Sequence, residues 1–417
     1  MKKILAFLLV AVLALSIMPL ALAAEELVMG SWRNDDAEEV QEMLDKYAEQ
    51  SGLKVKFSPT QSTQYNPQLR LNLDNKTGPD LFYSRSYKAG KELHEAGFNV
   101  DVTDYPGMKE NFSAAALEGW MGDDGKMFAV PVAAVSHIVY YNTEIFEKYD
   151  LKVPETFEEF IELCEKIKEI NKDDPKKAIA PLANGIKSEW DILECVYLGM
   201  LPNYVGGADN RALYEKGEKK MNDADFLASL EDFAKLVKYL PNGFEAIGND
   251  DGPGLLVKGK AAMFIDGSWS CGTYKNKFEF DKVGVFAIPA PKGRTPGMCL
   301  HADYGIAGNA ASKHPEEVKK FLEWVASKEG AAFIAKYTPA GFFPIINGQL
   351  EISDPLSQQI YKLNEGKILD SRFIWKTFTA IYNDMRIDLD KICKGEMTAK
   401  EAADHFAELQ AKVLEQK

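Results

Sequence analysis

The sequence predicts an α/β protein of more than one domain, and three observations carry that reading. Short β-branched or alternating segments trade places with amphipathic helical ones, the order that builds parallel sheets covered by helices. The chain has 417 residues, more than one small core accommodates. No repeat, low-complexity run or flexible linker interrupts it, so the domains are expected to be joined by ordered segments.

The first segment is not part of that fold. Met1-Lys2-Lys3 is followed by an almost unbroken apolar run from Ile4 to Leu22 and by the small-x-small pattern Ala21-Leu22-Ala23. These are the three parts of a secretory signal peptide, expected over residues 1–24. A membrane anchor is the competing reading, since a run of about 19 residues just spans a bilayer. Ser16 and Pro19 interrupt its end, and the cleavage pattern sits where removal requires it. No Cys follows for lipid attachment, which points to a free periplasmic or secreted protein.

Residues 26–32 then read as a strand, and 35–50 as a helix with Val40, Met43, Leu44 and Tyr47 on one face. Asn34, Asp35 and Asp36 offer a cap and first-turn carboxylates to that helix, and Ser51-Gly52 stops it. Lys54 to Phe57 alternates as a strand, a helix is expected over 67–73, and Gly78-Pro79-Asp80 turns into a strand at Leu81-Phe82-Tyr83. The stretch from 143 to 280 is mainly helical, with clear periodicity over 158–171 and 227–240. Strand character returns at 283–289 and 304–308, before a helix at 315–327 opened by Pro315.

Composition excludes several classes of partner. After residues 1–24 are removed, 393 residues carry 47 basic and 63 acidic side chains, net −16. An acidic surface argues against nucleic acid and anionic membranes, and is silent about a neutral ligand. Cys164, Cys195, Cys271, Cys299 and Cys393 are too few and too irregular for a disulfide scaffold or a zinc site. A bridge such as Cys271–Cys299 is permitted but not assigned, and buried small hydrophobes are the favoured reading.

Catalytic motifs are absent as well. His94, His137, His301, His314 and His405 show no metal-ligand spacing, and Gly267-Ser268-Trp269-Ser270-Cys271 breaks the G-x-S-x-G elbow. There is no P-loop or dinucleotide fingerprint, and Asp123-Asp124-Gly125 reads as a turn and not as a calcium loop. Paired glycosidase carboxylates can be distant in sequence, so among 63 acidic residues any two carry little weight. No cofactor is expected, and no enzyme.

Several segments taken together resemble the extracellular solute-binding proteins of family 1, the carbohydrate-binding components of ABC importers related to maltose-binding protein. The strongest runs from Asp124-Gly125-Lys126 through Ala129-Val130-Pro131 to Tyr140-Tyr141-Asn142, then Pro154-Glu155-Thr156-Phe157, with Thr156 and Glu159 spaced as a capping box. Thr77-Gly78-Pro79-Asp80, Gly259-Lys260-Ala261-Ala262-Met263 with Gly267-Ser268-Trp269, and His314-Pro315-Glu316 with Phe321-Leu322 follow in the family's order. The resemblance implies an α/β, two-lobed periplasmic-binding-protein fold of type II, with three hinge crossings and an interlobe ligand cleft. By position the crossings are expected near 132–135, 281–284 and 336–340. One lobe would hold 25–131 and 285–335, the other 136–280 and 341–417. The partners implied are a carbohydrate ligand and the permease subunits of an ABC transporter, with the binding protein a monomer.

A sugar presents apolar faces that lie on aromatic rings and hydroxyls that pair with charged or amide groups. The resemblance and the positions at strand ends therefore nominate Trp32, Arg33 and Asp36 after the first strand, against the rival reading of helix capping by Asn34 or Asp35 and a packed Trp32. Ser84 and Arg85 after the Pro79-Asp80 strand, Trp190, Trp269, and Asp303 with Tyr304 complete the central set. Gly341, Phe342 and Trp375 lie at or beyond the third crossing, while Trp120 and Trp324 read as packing. The opening Gly30-Ser31-Trp32-Arg33 with Asp36 leans toward an oligosaccharide over a monosaccharide. A charged solute in the same fold, or a secreted carbohydrate-active enzyme, are the alternatives.

Overall fold

The computed structural model describes residues 26–34, 36–170, 172–174, 177–347, 352–375 and 378–416, without the side chains of 62, 63, 114, 115 and 375. The expected signal peptide lies outside the described residues.

One continuous path of strands runs through the molecule, in the order β2-β1-β3-β8-β4-β6-β5. β1 (Glu26–Ser31) pairs in parallel with β2 (Lys54–Pro59) and β3 (Leu81–Arg85). β2 buries alternate residues, Val55 and Phe57, and exposes its lysines, as an edge strand should. β4 (Val130–Asn142) is different: nearly all of its 13 residues are buried, so both faces are covered. Its first half pairs antiparallel with β8 (Gly297–Gly308), with register shifts around Ala133, and with the short β9 (Phe343–Pro344). Its second half pairs with β6 (Ala261–Gly267) and β7 (Val283–Phe286). β8 divides likewise, its end pairing with β3 and its start with β10 (Ile368–Asp370). β5 (Ala180–Leu182) flanks β6 in parallel.

Hydrophobic packing separates into two main cores around this path. The first gathers residues from Leu27 to Val135 with others from Ala302 to Ile346. The second gathers residues from Val139 to Phe406, built largely on the helices Phe157–Glu169, Ala224–Val237, Tyr382–Cys393 and Ala399–Glu415. A smaller cluster, including Tyr140, Phe264, Met298 and Phe343, lies beside them. This is the two-lobed architecture expected, with a long shared strand in place of a linker.

Side chains around the expected crossings divide among the three clusters. The second crossing does not fall near 281–284, because β7 pairs with β4 and Phe286 and Ile288 belong to the second core. Burial of those side chains keeps residues 285–296 with the second lobe, and the chain crosses inside β8, between Met298 and Ala302. Around the third, neighbouring side chains divide, Phe342 and Ile346 packing in the first core and Ala340 and Phe343 in the smaller cluster. The first, near 132–135, lies within β4.

Local corrections follow the same physics. The helix expected over 67–73 spans Ser62–Asp74, with Pro67 in its interior and not at its start. The expected capping box at Thr156 is shared: Thr156 caps the Glu159 N–H, but the Glu159 carboxylate accepts from Glu155 and not from Thr156. All five cysteines are buried and unbridged.

Candidate ligand-binding site

The first wall is built where β1 and β3 end. At Ser31 the chain leaves the sheet, and the Ser31 hydroxyl accepts the Arg33 N–H at 2.9 Å. Arg33 is thereby set to donate Nε–H to Asp36 Oδ2 at 2.9 Å, with its guanidinium 4.2 Å from the centre of the Phe342 ring. Asp36 precedes the helix Ala37–Ser51 but makes no side-chain cap to it. Its carboxylate turns back to Arg33.

Trp32 is buried, meeting the edges of Tyr65, Tyr83 and Tyr304 at 5.6, 5.7 and 6.2 Å. The Arg85 guanidinium covers one face at 3.6 Å. Trp32 is thus a platform for Arg85 rather than an open stacking surface. Ser84 is fully buried and its hydroxyl bonds the Arg85 carbonyl, so it faces the protein. Tyr304 stacks on Tyr83 at 4.5 Å and 9°.

Two charged groups in this wall stand apart. Among the described residues, neither the Arg85 guanidinium nor the half-buried Asp303 carboxylate makes a hydrogen bond or ion pair. Burial holds the Arg85 guanidinium below the usual arginine value, against the opposing fields of Asp303 and Glu194. A half-buried cation without a bonded partner is expensive unless a ligand or water meets it.

The second wall carries Trp190 and Trp269, both half-buried, with ring centroids 6.1 Å apart at 64°. Trp269 lies over Gly267, where a Cβ would come 2.1 Å from the indole. Beside it stand His137 at 5.5 Å, edge-on, and Arg372 at 5.8 Å. Arg372 donates to His137 Nε2 at 3.2 and 3.1 Å and pairs with Glu194, which also accepts the Tyr382 hydroxyl at 2.5 Å. Burial, then the Arg372 and His301 fields, hold His137 well below the usual histidine value. It is therefore a neutral acceptor. His137 on β4 and His301 on β8 face each other, Nε2 to Nε2 at 3.2 Å, where the two strands pass between lobes.

Gly341 joins the walls. Its φ is +88°, and a Cβ there would lie 1.7 Å from the Ser268 carbonyl oxygen. The Ser268 hydroxyl in turn donates to the Gly341 carbonyl. Phe342, under Arg33, is thus tied to the turn that carries Trp269. Trp375 ends the short turn Phe373–Trp375, and its side chain lies outside the described residues.

Sequence reasoning missed Glu194, Arg372, His137 and Tyr382. Glu194 had a signal: it is the one charge in the apolar run Ile192 to Val205. Arg372, at the head of the aromatic segment that ends in Trp375, had a weaker one. A metal-like convergence also occurs: ligating atoms of Asp191, Cys195 and Asp266 lie within 4.8 Å of one another. Donors already meet the carboxylates there, with Asn249 Nδ2 bonding both and the Cys195 thiol bonding Asp266, so the trio is a hydrogen-bonded cluster.

Chemically, the charges come in matched sets: Arg33 with Asp36, Arg372 with Glu194, and Arg85 opposite Asp303. Together with two indoles, they suit a ligand of many hydroxyls and no large net charge. The fold and this site define a two-lobed solute-binding protein. The comparisons agree, because residues 31–332 match the family model of the bacterial extracellular solute-binding protein. The chain belongs to that family. It is 30% identical over 225 residues to an ABC transporter extracellular-binding protein of Pyrococcus horikoshii, covering 53% of this chain and 48% of that one. It is 26% identical over 261 residues to the multiple sugar-binding protein of Streptococcus mutans, covering 60% and 58%. The matches thus span about half of these relatives. Among solved structures, the bacterial solute receptor AcbH, described as preferring β-D-galactopyranose, superposes with a TM-score of 0.78 at 19% identity, over 94% of this chain and 98% of that one. Among the described residues no helix is long and apolar enough to cross a membrane.

Proposed function

We propose that this protein is the extracytoplasmic binding component of an ABC importer. It captures a neutral carbohydrate, an oligosaccharide, between its lobes and delivers it unchanged to the membrane permease. It works as a free monomer in the periplasm or outside the cell, and closes around its ligand by bending where β4 and β8 pass between the cores.

The observation that carries this reading is the opposition of Arg85 and Asp303. Among the described residues they are two side chains of opposite charge without a hydrogen bond or ion pair, and Arg85 also feels the second wall's Glu194. A sugar ring bridges such a pair by accepting from the guanidinium and donating to the carboxylate, with its apolar face on Trp190 or Trp269. A family of binding proteins and the sugar-binding relatives support the same reading. A glycosidase would need two carboxylates free for chemistry, and Glu194 is held by Arg372 and Tyr382.

The test is a thermal-shift screen of the purified mature protein against neutral mono- and oligosaccharides, uronates and polyamines, with recovered ligand checked for cleavage. A ligand at 100 times its dissociation constant stabilises by about 2.7 kcal/mol. A shift with an intact neutral sugar supports the proposal. A shift only with a charged solute replaces the ligand class, and cleavage overturns the non-enzymatic role.

A further inference from the structure

Directly behind the second wall lies a pair of carboxyl groups that the sugar-binding reading leaves unused. Asp191 follows Trp190, and Asp266 precedes Gly267-Ser268-Trp269; both are completely buried. Asp266 is rich in donors: Oδ1 accepts from Asn249 Nδ2 at 3.0 Å and from the Cys195 thiol at 3.3 Å, and Oδ2 from the Ser270 hydroxyl at 2.6 Å. Asp191 is poor in them. Its Oδ1 accepts from the same Asn249 amide at 3.1 Å, and its Oδ2 is buried without a hydrogen-bond partner. Every donor to the pair is neutral, and no Lys or Arg bonds either carboxyl among the described residues.

Two carboxylates in one apolar site cannot both ionise cheaply, since desolvation and mutual repulsion act together. The donors favour the charge on Asp266, which leaves Asp191, with one carboxyl oxygen buried and unbonded, the better placed of the two to hold a proton. Burial, then the charge of Asp266, pushes Asp191 well above the usual carboxyl range, while burial raises Asp266 only to about 6. Cys195 faces the pair from the π-helical turn Ile192–Tyr197 and itself feels Glu194 and Arg372. Tyr140 of β4 and Cys271 and Tyr274 beyond Trp269 complete the titratable surroundings.

The same hydrogen bonds build the supports of the two indoles. Ser270 on Asp266 closes the turn on which Trp269 rides. Asn249 links both carboxyls and donates its backbone N–H to the Ser188 hydroxyl at 2.9 Å, pinning the turn that carries Trp190. We propose that Asp191 and Asp266 are positioning residues for the Trp190–Trp269 shelf, and hold it only while one proton remains on the pair. Its effect on ligand affinity rests on the carbohydrate reading above; its effect on the shelf does not. At alkaline pH the second anion forms, one carboxyl must leave, and the shelf loosens.

The experiment reads the pair before the ligand. Infrared spectroscopy of the wild type at neutral pH should show the carbonyl stretch of a protonated carboxylic acid, absent in Asp191→Asn. The emission of Trp190 and Trp269, isolated by difference from W190F and W269F, should change as the wild type goes from neutral to alkaline pH. In D191N, whose amide has no proton to lose, that emission should stay constant, and so should sugar affinity. No carboxylic-acid band in the wild type overturns the proposal without recourse to any variant, as does an unchanged pH response in folded D191N or a stoichiometric divalent metal by elemental analysis. If no sugar binds, the carbohydrate reading fails while the band and the emission still decide the fate of the pair.

Discussion

Arg85 rests its charge on the face of Trp32, and among the described residues neither it nor Asp303 makes a side-chain hydrogen bond or ion pair. Arg85→Gln and Asp303→Asn are therefore expected to weaken sugar binding, each by about 1.5–3 kcal/mol, the worth of a hydrogen bond to a charged group. Unfolding free energy should barely change in Asp303→Asn, which loses no hydrogen bond or ion pair among the described residues, and should fall by about 0.5–2 kcal/mol in Arg85→Gln, which loses the contact with Trp32; denaturation beside a binding titration checks both. Gly341 behaves in the opposite way. Its positive φ and the Ser268 carbonyl leave no room for a Cβ, so Gly341→Ala should cost at least the ~1–3 kcal/mol of a strained backbone, read by chemical denaturation. Residue by residue, the nominated set was only partly legible. Strand ends pointed to Trp32, Arg33, Asp36 and Arg85, since a chain leaving a sheet sets its next side chains along the sheet's end. That Trp32 would be capped by Arg85, or Ser84 turned inward, depends on packing against Tyr65, Tyr83 and Gly90, residues the spacing does not connect.

At the scale of elements, β4 and β8 run through both cores, and their imidazoles meet where the strands cross. His137 and His301 are both held well below the histidine value of 6.5, first by burial and then by Arg372. A base depressed in the folded state favours folding above its unfolded value, and that contribution is lost as pH falls through and below 6.5. The buried Asp191–Asp266 pair acts with the opposite sign, because a raised carboxyl favours folding at low pH. Comparing wild type with His301→Gln separates the two: their stability difference should change between about pH 7.5 and about pH 5, with the wild type losing more. Farther from the site, Thr398 and Glu401 close a capping box at the helix Ala399–Glu415. Thr398→Ala should cost about 1 kcal/mol in denaturation. Most elements were legible in outline because amphipathic spacing dictates them. Boundaries fell short where tertiary burial overrides local pattern, as at Pro67 inside its helix and in β8, whose first half has little strand character until β10 pairs with it.

For the whole molecule, two cores threaded by shared strands are the architecture that lets a protein close on a ligand without a flexible linker. Two-lobed organisation was legible from the order of family segments, but the second crossing was not, because only the burial of Phe286 and Ile288 assigns that stretch to the second lobe. Ligand should draw the lobes together if the apo protein opens, so small-angle scattering is expected to show a smaller radius of gyration with sugar than without. The most direct test of the central claim is a calorimetric titration of the wild type, R85Q and W269A with the sugar that stabilises it best. We expect one site per chain in the wild type, intact ligand afterwards, and at least tenfold weaker binding in each variant. Binding unaffected by both substitutions would contradict the account, because the sugar would then lie somewhere other than between these two walls.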